Sequence, residues 1–328
     1  MRRLLLVVVG LCLGFAASAL EVEQGRIRLV LDEESSRFLI YLRSESEGDE
    51  SLPLFFADDP RTSGLDIRVA NRVYRMGDGG EFRQVAETTD EGIFFVWTSS
   101  TLRVSQGFWF IRSVGSSVAD GVQLEIAITN LGEQTIPVAA RLLLDTYLGE
   151  RGNAHFSTPL RSQITRESII EPSSAEWFIR SSAPEESEGL QVMLASSGVT
   201  TPASVVVANW RRLSDSQWDY KVSDQRNFNR LPYSINDSAL MLTYDEVALG
   251  QSERYKVTLR LGAFAPQGYL DPDTSAPLTA NERDALLTQL NALLDEIDGL
   301  LADPEVSAAD VETLRADLQQ ILEQVRGQ

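Results

Sequence analysis

The chain's one histidine, His155, follows Asp145 and Glu150 in the run LLLDTYLGERGNAHF (142–156). Two carboxylates and an imidazole are the types needed for base, acid and orienter in proton transfer. A carboxylate pair hydrolysing a glycoside must also stand about 5–10 Å apart. Loop residues separate the three groups, so their spacing alone sets no geometry. No Gly-x-Ser-x-Gly elbow accompanies them. The competing reading is structural: Leu142–Leu144 enter the core, Asp145 ends the strand, and Asp145 with His155 satisfies the following loop. The solitude of His155 favours that reading. The catalytic set is therefore read as empty, with His155, Asp145 and Glu150 as the alternative.

Binding without catalysis asks for aromatic faces beside polar groups. Trp210, Trp218 and Tyr220 surround an Arg/Asp/Ser turn in NWRRLSDSQWDY (209–220). Trp109 sits in FWF (108–110), where strand alternation turns it away from Phe108 and Phe110. These four are the candidate ligand-binding residues, and a glycan is the ligand they suggest. Their competing role is as core or loop staples, since tryptophan is buried on average.

No cofactor or metal is expected. Cys12 is the only cysteine, and a thiolate or histidine-rich site cannot be assembled from it and His155. The acidic turns GDGGE (77–81) and DPDT (271–274) lack the spacing of an EF-hand loop.

The elements that position these residues are preceded by a leader. Met1-Arg2-Arg3, an apolar run from Leu4 to Phe15 and Ala17-Ser18-Ala19 have the pattern of a signal peptide (1–19). The run is shorter than the ~20 residues a membrane span needs. The expectation is an exported protein, periplasmic or extracellular, with no membrane span after cleavage. The formal charge is −19, and the only lysines are Lys221 and Lys256. Nucleic acid needs a basic footprint that this composition does not offer.

Residues 20–265 read as a β-sandwich domain. Short apolar or alternating runs recur, among them GRIRLVLD (25–32), RFLIYLR (37–43), DIRVANRVYRM (66–76), GIFFVWTSS (92–100) and TLRVSQGFWFIRS (101–113). VQLEIAITN (122–130), IPVAARLLLD (136–145), LQVMLA (190–195), ASVVVANW (203–210), ALMLTYDE (239–246) and RYKVTLRLGAF (254–264) continue the series. Their β-branched and aromatic content suits pleated, half-buried surfaces. No long helical-period segment separates them, which predicts a large antiparallel sandwich rather than βαβ units.

Residues 266–278 read as a linker and 279–328 as an antiparallel helical hairpin. Thr279-Ala280-Asn281-Glu282 fits a capping box. Leu286, Leu290, Leu293 and Ile297 then recur at helical spacing, as do Leu314 and Leu318 after Asp303-Pro304. The apolar stripe is wider than one partner helix covers, and the segment 279–326 carries eleven acids against three arginines. It is the expected interaction element, for self-association or a protein partner.

The stretch LEIAITNLGEQTIPVAARLLLDTYLGE with HF following resembles the middle strands of galactose-mutarotase-like super-sandwich proteins. That resemblance implies the super-sandwich fold and a sugar groove to which Thr129, Asn130, Pro137, His155 and Phe156 contribute. The family's chemistry uses a second histidine, which this chain lacks. Residues 236–262 also resemble the closing strands of uncharacterised exported bacterial β-proteins with a segment like RLLLDT (141–146). The combined reading is a non-catalytic envelope protein with a binding or assembly role. The alternative is a carbohydrate-binding or carbohydrate-active protein using a groove near His155.

Overall fold

The computed structural model describes residues 19–43, 51–89, 92–152, 154–182 and 188–272. The expected helical hairpin and the leader, apart from Ala19, lie outside these residues. Within them every named strand pairing is antiparallel, in three sheets. The first is a meander of β1 (Ala19–Gln24), β2 (Ile27–Asp32), β3 (Arg37–Arg43) and β4 (Ser51–Pro53).

The second and third sheets have seven and six strands along their main paths. The second runs β13 (Phe178–Ser181), β14 (Leu190–Met193), β18 (Arg254–Gly262), β10 (Gly121–Asn130), β9 (Leu102–Ile111), β8 (Gly92–Thr98), β7 (Arg83–Thr89). The third runs β12 (Ser168–Ile170), β15 (Ser204–Asn209), β16 (Ser238–Thr243), β11 (Ile136–Asp145), β5 (Gly64–Val69), β6 (Arg72–Arg75). A short β17 (Val247–Leu249) also pairs with β11.

Alternation along each strand explains why the layers stick. On β11, Val138, Ala140, Leu142 and Leu144 enter the main core, joined by Leu240 and Leu242 of β16 and Val205 and Val207 of β15. Val104 and Phe108 of β9, Leu124 and Ile126 of β10, and Val257 and Leu259 of β18 belong to the same core, as do Ile27, Leu29 and Ile40 of the small sheet. Each fully buried aliphatic side chain contributes roughly 1.5–3 kcal/mol of transfer free energy. A core of this size needs no disulfide.

The other face of the third sheet carries the alternate residues, among them Arg141, Leu143 and Asp145 of β11. A cover segment, residues 210–237, lies over this face. It opens with a one-turn helix, α1 (Trp210–Ser214), whose Asn209 side chain accepts from the Arg212 amide. Leu213, Trp210, Tyr220 and Val222 pack on Leu143, Val206, Ala208, Ala239 and Met241. The cover is pinned by buried Glu167, which accepts from Arg212 Nη1 (2.6 Å), Tyr220 OH (2.8 Å) and the Ser223 amide (3.1 Å). Charge-assisted contacts of this kind fix a segment that has little regular backbone bonding of its own.

Candidate functional site

The cover segment divides the outer face of the third sheet into two polar regions. Over the middle of β11, around Arg141, lies an open cavity of about 700 Å³, lined by Arg68, Asn71, Arg141, Trp218, Asp219 and Glu246 among others. Its floor is made where Arg141 stands beside Asp66 in the β11–β5 register and Ala139 beside Arg68. Arg141 is buried. Its Nη2 donates to Asp66 Oδ2 at 2.6 Å, and its Nη1 to the carbonyls of Gln217 (2.9 Å) and Trp218 (3.1 Å). Arg141 thus fixes the cover-segment wall by its backbone.

Arg68 is more open and donates to Glu246 Oε2 at 3.1 Å. The guanidinium carbons of Arg68 and Arg141 lie 4.7 and 5.0 Å from the Trp218 ring centroid, a cation–π arrangement that locks the indole onto the floor. Asn71 reaches the cavity because residues 66–76 form a hairpin rather than one strand. Ala70 adopts φ of 50°, a left-handed turn position, between β5 and β6.

At the C-terminal end of β11, about 13 Å away for four residues at roughly 3.3 Å each, three carboxylates meet. Asp145 comes from the strand end, Glu150 from the 3-10 turn Tyr147–Gly152, and Asp237 from the residue before β16. One oxygen from each lies within 4.8 Å of the others. Burial pushes the Asp145 carboxyl up to about 7, against a lowering hydrogen bond from Thr62, with Asp237 and Asp59 raising it further. Burial likewise pushes Glu150 up to about 8, against the Ser238 amide that donates to it at 2.9 Å. Asp237 is raised as well, chiefly by burial. Such a group can hold protons near neutrality, or offer a hard cation an oxygen-only donor set.

His155 does not join this cluster. It is 2 % exposed, its ring centroid lies 4.2 Å from that of Phe228, and its Nδ1 is buried without a hydrogen-bond partner. Burial alone lowers its pKa to about 4, with no contribution from a carboxylate. The expected Asp145–His155 pair is therefore replaced by Asp145–Glu150–Asp237, and the imidazole is a neutral core group. Desolvation decides the outcome, because an imidazolium packed on a phenyl ring would lose its hydration without a counter-charge.

The four aromatic candidates are dispersed. Trp218 lines the cavity. Trp210 donates from Nε1 to the Thr62 carbonyl at 2.8 Å, and Tyr220 bonds Glu167, so both staple the cover segment. Trp109 lies on the second sheet. Arg68, Asn71 and Asp237 were not singled out by spacing or composition. The one sequence signal for Asn71 is a turn-forming residue inside an otherwise apolar/polar run.

No protein-family model matches the chain, and no curated protein matches it. Among solved structures it is similar to a putative aldose 1-epimerase from Escherichia coli K12, at 12 % identity and a TM-score of 0.43, over 76 % of this chain and 99 % of that one. It is similar to a galactose mutarotase-like protein from Lactobacillus casei at 8 % identity and a TM-score of 0.45, over 75 % of this chain and all of that one. A polysaccharide lyase is similar at 11 % identity and a TM-score of 0.41, over 74 % of this chain and 33 % of the other. The second is described as galactose mutarotase-like, the kind that the stretch beginning at Leu124 resembles.

Proposed function

We propose that this protein binds a neutral carbohydrate in the cavity bounded by Arg68, Asn71, Trp218, Asp219 and Glu246. The observation that carries the reading is the pairing of the lining. Arg68 is matched by Glu246 and Arg141 by Asp66, so donors and acceptors alternate with little surplus charge. Hydroxyl groups both donate and accept, and a polyol can bridge such a lining without breaking an ion pair. An anion would have to displace Glu246 from Arg68, and an apolar ligand would leave these groups unsatisfied. The volume is within the range of small-molecule sites, about 300–1,000 Å³.

The proposal moves the sugar groove from the neighbourhood of His155 to the Arg68–Trp218 region of the same sheet face. It is compatible with the expectation of an exported protein whose leucine-striped segment 279–326, outside the described residues, serves as an interaction element. Calorimetric titration with glucose, galactose, mannose and their β-linked disaccharides tests the binding reading, with glucuronate as the anionic control. A neutral sugar should bind, and Arg68→Met and Asn71→Ala should each weaken it about tenfold, the loss of roughly one hydrogen bond to a charged or amide group. Preference for glucuronate, binding unaffected by both substitutions, or no binding by any sugar would overturn the reading.

A further inference from the structure

A second aromatic site lies on the opposite side of the molecule, on the outer face of the second sheet. Strand alternation sends Phe108 into the core and turns Trp109 outward. The indole does not stand off the sheet. A β-carbon at Gly107 would lie 2.5 Å from Trp109 Cη2, and one at Gly92, on the neighbouring strand, 3.1 Å from Trp109 Nε1. The ring therefore lies close to the backbone of both strands, near Gly107 of its own β9 and Gly92 of β8. Any larger residue at 107 would force it up. Glycine inside a strand weakens it and marks a close approach, and here the approaching group is an aromatic ring.

Phe94 completes the arrangement. It sits opposite Gly107 in the β8–β9 register, and its ring is edge-on to the indole, with centroids 5.4 Å apart and planes at 87°. Both rings are partly exposed. The cross-strand neighbours are polar. Gln123 is paired with Trp109, Glu125 with Gly107, and Glu87 with Phe94. Lys256 Nζ holds Glu125 Oε2 at 2.6 Å. Acceptors and donors of the neighbouring strands thus surround two aromatic rings set at right angles to each other.

We infer that Trp109 and Phe94 form a glycan-binding platform separate from the cavity of the third sheet. A pyranose with equatorial substituents presents axial C–H bonds on its faces and hydroxyls around its rim. The first suit the aromatic rings and the second the carboxylates of Glu87 and Glu125, while Gln123 is buried and accepts from Arg260 Nε at 2.9 Å. The rings belong to a surface of neighbouring strands, which suits a sugar ring within a chain better than a free monosaccharide.

The test is affinity electrophoresis of the full-length protein through native gels containing soluble β-1,4-glucan, β-1,3-glucan, xylan or galactan. Wild type should be retarded in at least one gel. Trp109→Ala should lose about tenfold in affinity, and Trp109→Phe should keep part of it. Gly107→Val, which lifts the indole without removing it, should also lose binding while circular dichroism and thermal unfolding show a folded protein. Arg68→Met should keep it, which separates this site from the cavity. Retardation in none of the gels, equal retardation of Trp109→Ala and wild type, or a Trp109→Ala effect on sedimentation mass in place of glycan affinity would overturn the inference.

Discussion

Replacing Asp145 by asparagine should stabilise the protein above neutral pH. Asp145 ends β11 with its carboxyl buried beside Glu150 and Asp237. Its folded pKa of about 7 exceeds the ordinary 3.8. The folded state therefore holds a proton that the unfolded chain has released between about pH 4 and pH 7. Stability falls as pH rises through that window, and the loss is complete above it. At about 1.36 kcal/mol for each pH unit, moving from 3.8 to about 7 amounts to about 4 kcal/mol. Asparagine carries no charge and keeps one oxygen to accept from Thr62. It also removes one of the charges that raise Glu150. Urea unfolding at pH 4 and pH 8 should show wild type losing stability with pH and Asp145→Asn losing much less. At pH 8 the variant should be stabler by about 4 kcal/mol, or roughly 10 °C in melting temperature. Equal pH dependence of the two proteins, or a variant less stable at pH 8, would refute the assignment of a buried, proton-holding cluster.

Glu167→Ala removes the buried acceptor shared by Arg212, Tyr220 and the Ser223 amide. It should cost about 3–5 kcal/mol and speed limited proteolysis within 210–237; cleavage at the wild-type rate would argue against the pinning role. Deleting 279–328 should lower the number of copies in the native assembly measured by sedimentation; an unchanged number of copies together with full recovery of partners would exclude the assembly role.

Strands with strong alternation were legible in advance. β2 and β10 follow their apolar periods closely because one face of each is fully buried, whereas β11 shows as a near-continuous apolar run because both its faces are covered. β7 (RQVAETT) was missed because its polar, exposed composition carries no periodic signal at a sheet edge. β4 and β12 were missed because three residues are too few to show a period. The run 66–76 reads as one strand and forms two, since a turn at Ala70 costs little once both arms are paired. Trp109 could be turned outward from strand parity alone. The meeting of Asp145, Glu150 and Asp237 could not be seen, because it depends on bringing β16 beside β11 across a long cover segment. His155 instead packs on Phe228 of the cover segment, away from the chemistry its sequence neighbours suggest.

The measurement closest to the central claim is a crystal structure of the protein soaked with the neutral sugar that binds in calorimetry. The account predicts density in the cavity, with hydroxyls on Arg68, Asn71 and Asp219 or Glu246 beside the Trp218 indole, and the Arg68–Glu246 pair intact. A sugar bound instead beside Asp145 and Glu150, with the Arg68–Trp218 cavity empty, would contradict it.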